Sequence, residues 1–320
     1  MRIVFMGSSD ASAVTLRALL RAPQVNVVGV VTQPDRPSGR RQRFTPCPCK
    51  AFAVEKHVSP IISPEKVNAP EVLEQLEQLK PDVIIVVAFG QFLGRRLLAL
   101  PPHGCINGHF SLLPKYRGAA PINWAIYHGE DETGVSVIHM TPRVDAGPVI
   151  AQERTPIEDG ETAEQLEARL AEIGSRLVHR VIDALESGEP ESLPQNPALA
   201  SRAPRLKKTD GLIDWTRSAE AVRNHIRAFI PWPRSYTFWR RAGSTPLRMI
   251  VGPVEIGGDS PPRVQPGTVV EGDGNRVVVA TGAGCVALRS LQPAGKRELD
   301  IREFQLGYRL EPGDRFGPEA

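Results

Sequence analysis

The sequence predicts an α/β protein of two domains, the first built on a buried parallel sheet and the second on short antiparallel strands. Three observations carry this reading. Residues 3–6 and 83–88 are continuous apolar runs and residues 25–31 are apolar except for Asn26 and Gly29, the pattern of strands buried on both faces of a parallel sheet. Residues 3–6 and 25–31 flank a glycine turn and an amphipathic segment, which together make a βαβ unit of about thirty residues. Beyond residue 205 the runs become short and are punctuated by Gly and Pro, as in a small antiparallel barrel.

A chain of 320 residues is long for one compact unit, so two domains are expected on size alone. The net charge of +3 hides an asymmetry: residues 201–320 hold 19 Lys+Arg against 13 Asp+Glu, and residues 1–200 hold 20 against 23. A basic second half suits a polyanion partner, and ordinary charge scatter is the competing reading. Four cysteines, at 47, 49, 105 and 285, are too few for a disulfide framework in a chain of this length. The Cys47-Pro48-Cys49 spacing does not suit zinc, so no metal is expected. The opening residues are too short an apolar run for a signal segment, and no run approaches the ~20 residues of a membrane span. A reducing cytoplasm is the expected compartment.

Taken in order, residues 3–6 end at Gly7, and Ser8, Ser9 and Asp10 offer caps for a helix whose apolar face is Val14, Leu16, Leu19 and Leu20. Gly7 has no partner glycine two residues on, so the dinucleotide fingerprint is missing. Residues 32–43 contain two prolines, a glycine and four arginines and read as an exposed loop. Arg36, Arg40, Arg41 and Arg43 could form a phosphate-contacting finger or a plain solvated loop. Helices are expected over 50–57 and 70–79, and a third buried strand over 83–88 that closes at Phe89 and Gly90. Ligand sites of open parallel sheets gather at such carboxyl ends. Arg117-Gly118-Ala119-Ala120-Pro121 reads as a tight turn into a helix. Residues 135–140 and 149–151 read as strands, with Asp145 on the turn between them. A capping box at residues 162–165 opens a helix striped by Leu166, Leu170, Ile173, Leu177, Val181 and Leu185 and stopped at Gly188.

Residues 189–205 carry four prolines and little apolar content, the composition of a linker. The expected boundaries are therefore 1–188, a linker over 189–205, and 206–320. The second part begins with a helix over 219–229, stopped by Pro231-Trp232-Pro233. Five strand-like runs follow, at 236–239, 247–251, 268–270, 276–280 and 286–288, with basic residues scattered among them. A small basic barrel is a frequent nucleic-acid module.

The candidate site is Asn107-Gly108-His109-Phe110-Ser111-Leu112-Leu113-Pro114. Asn107, His109 and Ser111 fall at i, i+2 and i+4, so an extended backbone puts them on one face. Asn can donate to a developing oxyanion, and His can donate or carry a proton. A polar strand end with a capping serine is the structural alternative.

These blocks resemble the methionyl-tRNA formyltransferase family over essentially the whole chain. The resemblance rests on Thr32-Gln33-Pro34-Asp35-Arg36-Pro37, Gly104-Cys105-Ile106-Asn107, His109 with residues 111–114, Arg117-Gly118-Ala119-Ala120-Pro121-Ile122 and Asp145-Ala146-Gly147. In the second domain it rests on Arg227-Ala228-Phe229, Pro231-Trp232-Pro233 and Leu291-Gln292-Pro293-Ala294-Gly295-Lys296. Ser8-Ser9 and Gly108 depart from the family's usual residues and leave the activity expectation intact. The resemblance implies a Rossmann-like formyltransferase domain and an OB-like barrel. It implies catalysis by Asn107, His109 and Asp145, and a folate site at Phe89, Gly90, Ser111, Leu112, Leu113 and Pro114. It further implies tRNA contacts by Arg36, Arg40, Arg41, Arg43, Lys207, Lys208 and Lys296. The expected reaction is formyl transfer from 10-formyltetrahydrofolate to methionyl-initiator tRNA, by a monomer. The alternatives are another formyltransferase of the same donor, a formyltetrahydrofolate hydrolase, and a non-catalytic RNA-binding protein.

Overall fold

The apolar runs of the N-terminal half lie together in one sheet. In the computed structural model, which describes all residues but 40, 41, 189, 241–244, 262 and 320, strand Arg2–Gly7 lies between Asn26–Val31 and Val83–Val87, parallel to both. Cys105–His109 continues the sheet in parallel beyond Val83–Val87. Glu132–His139 and Val149–Pro156 then extend that side antiparallel. Ile61–Ile62 borders the other side. All five residues of Val83–Val87 are buried, as a strand covered on both faces requires. Helix Asp10–Leu19 is capped at Ser9 by a reciprocal bond with Ser12. Thr162 and Gln165 form the expected box, and the six-residue stripe of the following helix, Ala163–Ser187, is buried throughout.

Several local expectations differ. On the first helix Leu20 is exposed, and the buried face is Ala11, Ser12, Thr15, Leu16 and Leu19. The small residues, not only the large ones, lie against the sheet. Residues expected as a loop contain a short exposed hairpin, Arg36–Ser38 against Arg43–Thr45. The strand near Ala151 runs on to Pro156, because an edge strand needs only one buried face and so tolerates polar residues at alternate positions.

Two compact units divide the chain. One comprises Met1–Pro121, Glu132–Pro156 and Leu166–Pro204; the other comprises Ile122–Asp131, Ile157–Gln165 and Arg205–Ala320. The second unit thus takes in two short segments from before residue 188. Helix Ala219–Ala228 holds both: Asn123 Nδ2 donates to the Ala228 carbonyl at 2.7 Å, and an Arg227 N–H reaches the carbonyls of Glu158 and Glu161. The rest of this unit is two antiparallel sheets. Tyr236–Arg240, Leu247–Val251, Ser290–Pro293, Leu299–Asp300 and Arg315–Gly317 form one. Val254–Gly258, Val269–Gly272, Val277–Ala280 and Cys285–Leu288 form the other. Among the described residues these sheets do not close into one hydrogen-bonded ring. Trp239, Met249, Val279, Phe304 and Phe316 lie in the core of this unit. No described helix is long and apolar enough to cross a membrane.

His225 is a buried titratable group of this unit. It is 4% exposed, its ring centroid lies 4.9 Å from that of Phe229 and 5.6 Å from that of Tyr127, and its Nε2 finds no partner. Burial pushes its pKa down from 6.5 to about 4. Between those values the unfolded chain holds a proton that the folded unit refuses. Stability present above pH 6.5 should therefore fall as pH drops toward 4, by at most about 3 kcal/mol. Thermal unfolding across this range should show the slope in the wild type and a flatter one in His225→Gln; an equally steep loss in the variant would contradict this.

Candidate active site

Asn107 and His109 lie on the last strand of the parallel set, and the sheet carries them to its carboxyl edge. Asn107 pairs in register with Val86 and Ile138. His109 pairs with Ser136 and is 6% exposed on its side chain. Asp145 comes from the turn after Glu132–His139, the strand antiparallel to their own. Its backbone is left-handed, φ 50°, a conformation that Asp tolerates better than most residues. The turn closes tightly: a Cβ on Gly147 would stand 1.7 Å from the His139 carbonyl oxygen, so only glycine fits.

The Asp145 carboxylate gathers the site. One oxygen accepts from the Gly118 N–H at 2.8 Å and lies 3.6 Å from His109 Nδ1. The other accepts from Asn107 Nδ2 at 3.4 Å. His109 Nε2 lies 2.9 Å from the Tyr116 carbonyl. That oxygen can only accept, so Nε2 carries a hydrogen and Nδ1 faces the carboxylate. A proton on Nδ1 turns the 3.6 Å approach into a charge pair, and Nδ1 is the imidazole atom left for proton traffic.

These groups line one wall of a cleft of about 500 Å3. Val86, Phe89, Leu93, Ile138, Met140 and Val144 supply its apolar surface, and Gly90 to Phe92 its rim. The volume and the mixture of apolar walls with a few convergent polar groups suit a small organic ligand. Behind the rim, Ser8 Oγ and Gln33 Nε2 both donate to the Phe89 carbonyl at 3.1 Å. The Asn68 amide accepts from the Gly94 N–H and donates to the Phe92 carbonyl. The loop after Val83–Val87 is thereby held by residues outside the cleft lining.

Two family models match the chain: formyl transferase over residues 1–182, and the formyl transferase C-terminal domain over 205–309. A methionyl-tRNA formyltransferase of Geobacter sulfurreducens is 42% identical over 317 residues, covering 99% of this chain and 97% of its own. The chain belongs to the methionyl-tRNA formyltransferase family. Its first unit is accordingly a formyltransferase domain with a Rossmann-like parallel core. Solved structures share the fold at lower identity. The N-formyltransferase of Helicobacter canadensis, in complex with folinic acid and dTDP-3-aminofucose, superposes with a TM-score of 0.64 at 18% identity, covering 93% of this chain and 99% of that one. HypX of Aquifex aeolicus in complex with tetrahydrofolic acid gives 0.62 at 17%, covering 98% of this chain and 49% of that one.

The structure brings Asn107, His109, Asp145, Phe89 and Gly90 to the cleft. Residues 111–114 stand outside its lining. Ser111 Oγ donates to the Lys115 carbonyl, and the Ser111 carbonyl and Leu113 N–H are both taken by the buried Ser136 hydroxyl. This turn braces the loop that bears Tyr116 and Gly118. Arg36 is exposed and paired with Glu65 at 2.7 Å, and Arg43 is exposed on the same hairpin. Arg40 and Arg41 lie outside the described residues. Lys207, Lys208 and Lys296 are exposed on the second unit. Reading the sequence alone left out Tyr116, Gly118 and Gln195. Gly118 was visible within a glycine turn, but its role as donor to Asp145 depends on a contact 27 residues away. A Cβ on Gly108 would make ordinary contact with Val87 and Val178, at 3.4 and 3.6 Å, so that departure from the family leaves the wall unchanged.

Proposed function

We propose that the protein transfers the formyl group of 10-formyltetrahydrofolate to the α-amino group of methionyl-initiator tRNA. The observation that carries this reading is the Asn107–His109–Asp145 wall, found in a chain 42% identical over 317 residues to a methionyl-tRNA formyltransferase. The donor supplies an electrophilic formyl carbon, which the methionine amine attacks and which its N10 leaves, taking a proton. Asn107 Nδ2 has a second hydrogen beyond the one aimed at Asp145, and it can donate to the formyl oxygen as that oxygen gains charge. His109 is the second donor when Nδ1 carries a hydrogen. Asp145 orients both and can accept the proton lost by the attacking amine and return it toward the leaving nitrogen, through water where the distance requires it. Phe89 and Gly90 form the wall against which the flat pterin would rest, and residues 111–114 hold the loop beneath it.

In the second unit, the antiparallel sheets and the excess of basic residues support an OB-like module that carries the tRNA, with Lys207, Lys208 and Lys296 as phosphate contacts. The reading also places Arg36 and the arginines at 40, 41 and 43 on the acceptor arm, and has the protein act as a monomer in the cytoplasm. Replacing Arg40, Arg41 and Arg43 with Ala should raise the apparent KM for charged tRNA and flatten its dependence on salt, because fewer counterions are released on binding. An unchanged KM and salt slope would leave these side chains as solvated surface. The reaction itself is tested by incubating the protein with labelled 10-formyltetrahydrofolate and charged initiator tRNA. Formylmethionyl-tRNA is the expected product; formate release without it would assign a hydrolase instead.

A further inference from the structure

Residues 189–205 have the composition of a linker, yet residues 193–203, which lie in the first unit, are tied down along the loops that shape the active site. Leu193 exchanges two backbone hydrogen bonds with Val149, both at 2.8 Å. Ser201 Oγ accepts from the Tyr116 N–H at 2.9 Å, and the Tyr116 carbonyl is the group that faces His109 Nε2. Residues Arg202 and Ala203 pair in parallel with Arg117 and Gly118. Gly118 has φ 128°, and a Cβ there would stand 2.4 Å from the Ala203 carbonyl oxygen. The donor to Asp145 is thus pressed against this segment.

Gln195 joins the two halves of the arrangement. Its Nε2 donates to the carbonyl of Asp145 at 2.8 Å and to that of Gly147 at 2.7 Å. Its Oε1 accepts from Arg117 Nε and Nη2 at 3.0 and 2.6 Å. One amide therefore fixes the turn that bears the carboxylate, and it also fixes the residue next to that carboxylate's backbone donor. Two donors on one end and an acceptor on the other are what a primary amide offers. A carboxylate would set negative charge against two carbonyls, and a thioether would leave four partners unsatisfied.

We infer that Gln195 is a positioning residue for Asp145, and that residues 193–203 clamp the catalytic wall rather than merely connect two domains. The inference rests on the proposed role of Asp145. A left-handed aspartate on a short turn has few bonds of its own to hold its angle. Small misplacements of a reacting group are costly, on the order of 10²-fold for 1 Å.

The test is kinetic. Gln195→Met keeps the length of the side chain and removes all four hydrogen bonds. Gln195→Glu keeps the acceptor toward Arg117 and removes both donors. Each should lower kcat for formylmethionyl-tRNA formation by about tenfold or more, with both KM values within about twofold of wild type. The decisive readout is each change made again in Asp145→Asn, followed in single turnovers. There it should cost no more than about twofold, because residues acting as one unit are not additive. A purely structural role would give the same loss in both backgrounds. That result overturns the inference, as does a wild-type kcat in either folded variant or failure of both variants to fold. A wild-type enzyme that makes no formylmethionyl-tRNA would instead refute the proposed function.

Discussion

Asp145→Asn should lower turnover by about 10²–10⁴-fold, the range expected when a positioned acid–base group is lost, while the fold persists. The reason lies in how the carboxylate is surrounded. The Gly118 N–H and Asn107 Nδ2 both point at it, and His109 Nδ1 faces it. Asparagine has one oxygen where aspartate has two, so its NH2 must confront either the Gly118 N–H together with His109 Nδ1, or the side-chain amide of Asn107. In the first case the backbone donor is orphaned and His109 loses the oxygen it faces. In the second, Asn107 loses its acceptor. Volume is unchanged, so thermal unfolding should move little, and steady-state assays should show the loss in kcat. Turnover within about tenfold of wild type would mean that the carboxylate neither carries nor orients the proton.

Gly147→Ala should damage both stability and activity. A Cβ there would enter the His139 carbonyl oxygen at 1.7 Å and approach the Thr141 methyl at 3.2 Å. Backbone must move to admit it, and overpacking of this kind costs about 1–3 kcal/mol or more. The moving part is the turn that carries Asp145, so a further loss of about 10² in kcat is expected from misplacement alone. The two effects separate in one experiment: the melting temperature should fall, and activity measured well below it should still be low. A folded variant with wild-type kcat would show that the turn shifts as a body without disturbing the carboxylate.

The parts of the fold that were legible are those whose physics is local. Continuous apolar runs marked the strands around Phe5 and Ile85, because a strand covered on both faces has no polar side to show. Capping residues and a regular stripe marked the helix from Ala163, where Leu166 to Leu185 repeat at helical spacing. In the second unit, Val254–Gly258, Ser290–Pro293, Leu299–Asp300 and Arg315–Gly317 are short or interrupted by Gly and Pro. Their pairing partners, not their own periodicity, make them strands. The exposed hairpin at Arg36–Ser38 buries nothing and so left no pattern.

The site divides in the same way. Asn107 and His109 stand two apart on one strand, so their common face follows from the alternation of an extended backbone. Asp145 joins them only because the sheet places an antiparallel neighbour beside that strand. Gln195 lies in a proline-rich stretch whose composition signals a connection, and its four bonds go to residues 48 to 78 positions away. No local pattern announces such contacts. The Ser111–Pro114 block shows the converse: a distinctive motif whose Ser111 hydroxyl and backbone groups brace a loop while its residues stand outside the cleft lining.

The most direct measurement is a single turnover with enzyme in excess over methionyl-initiator tRNA and labelled 10-formyltetrahydrofolate, followed by identification of the labelled product. The account predicts label on the methionine nitrogen while the amino acid is still attached to tRNA, formed quickly by the wild type and at least ~10²-fold more slowly by Asp145→Asn. Label released as formate, or label on tRNA-bound methionine at equal rates in both proteins, would contradict it.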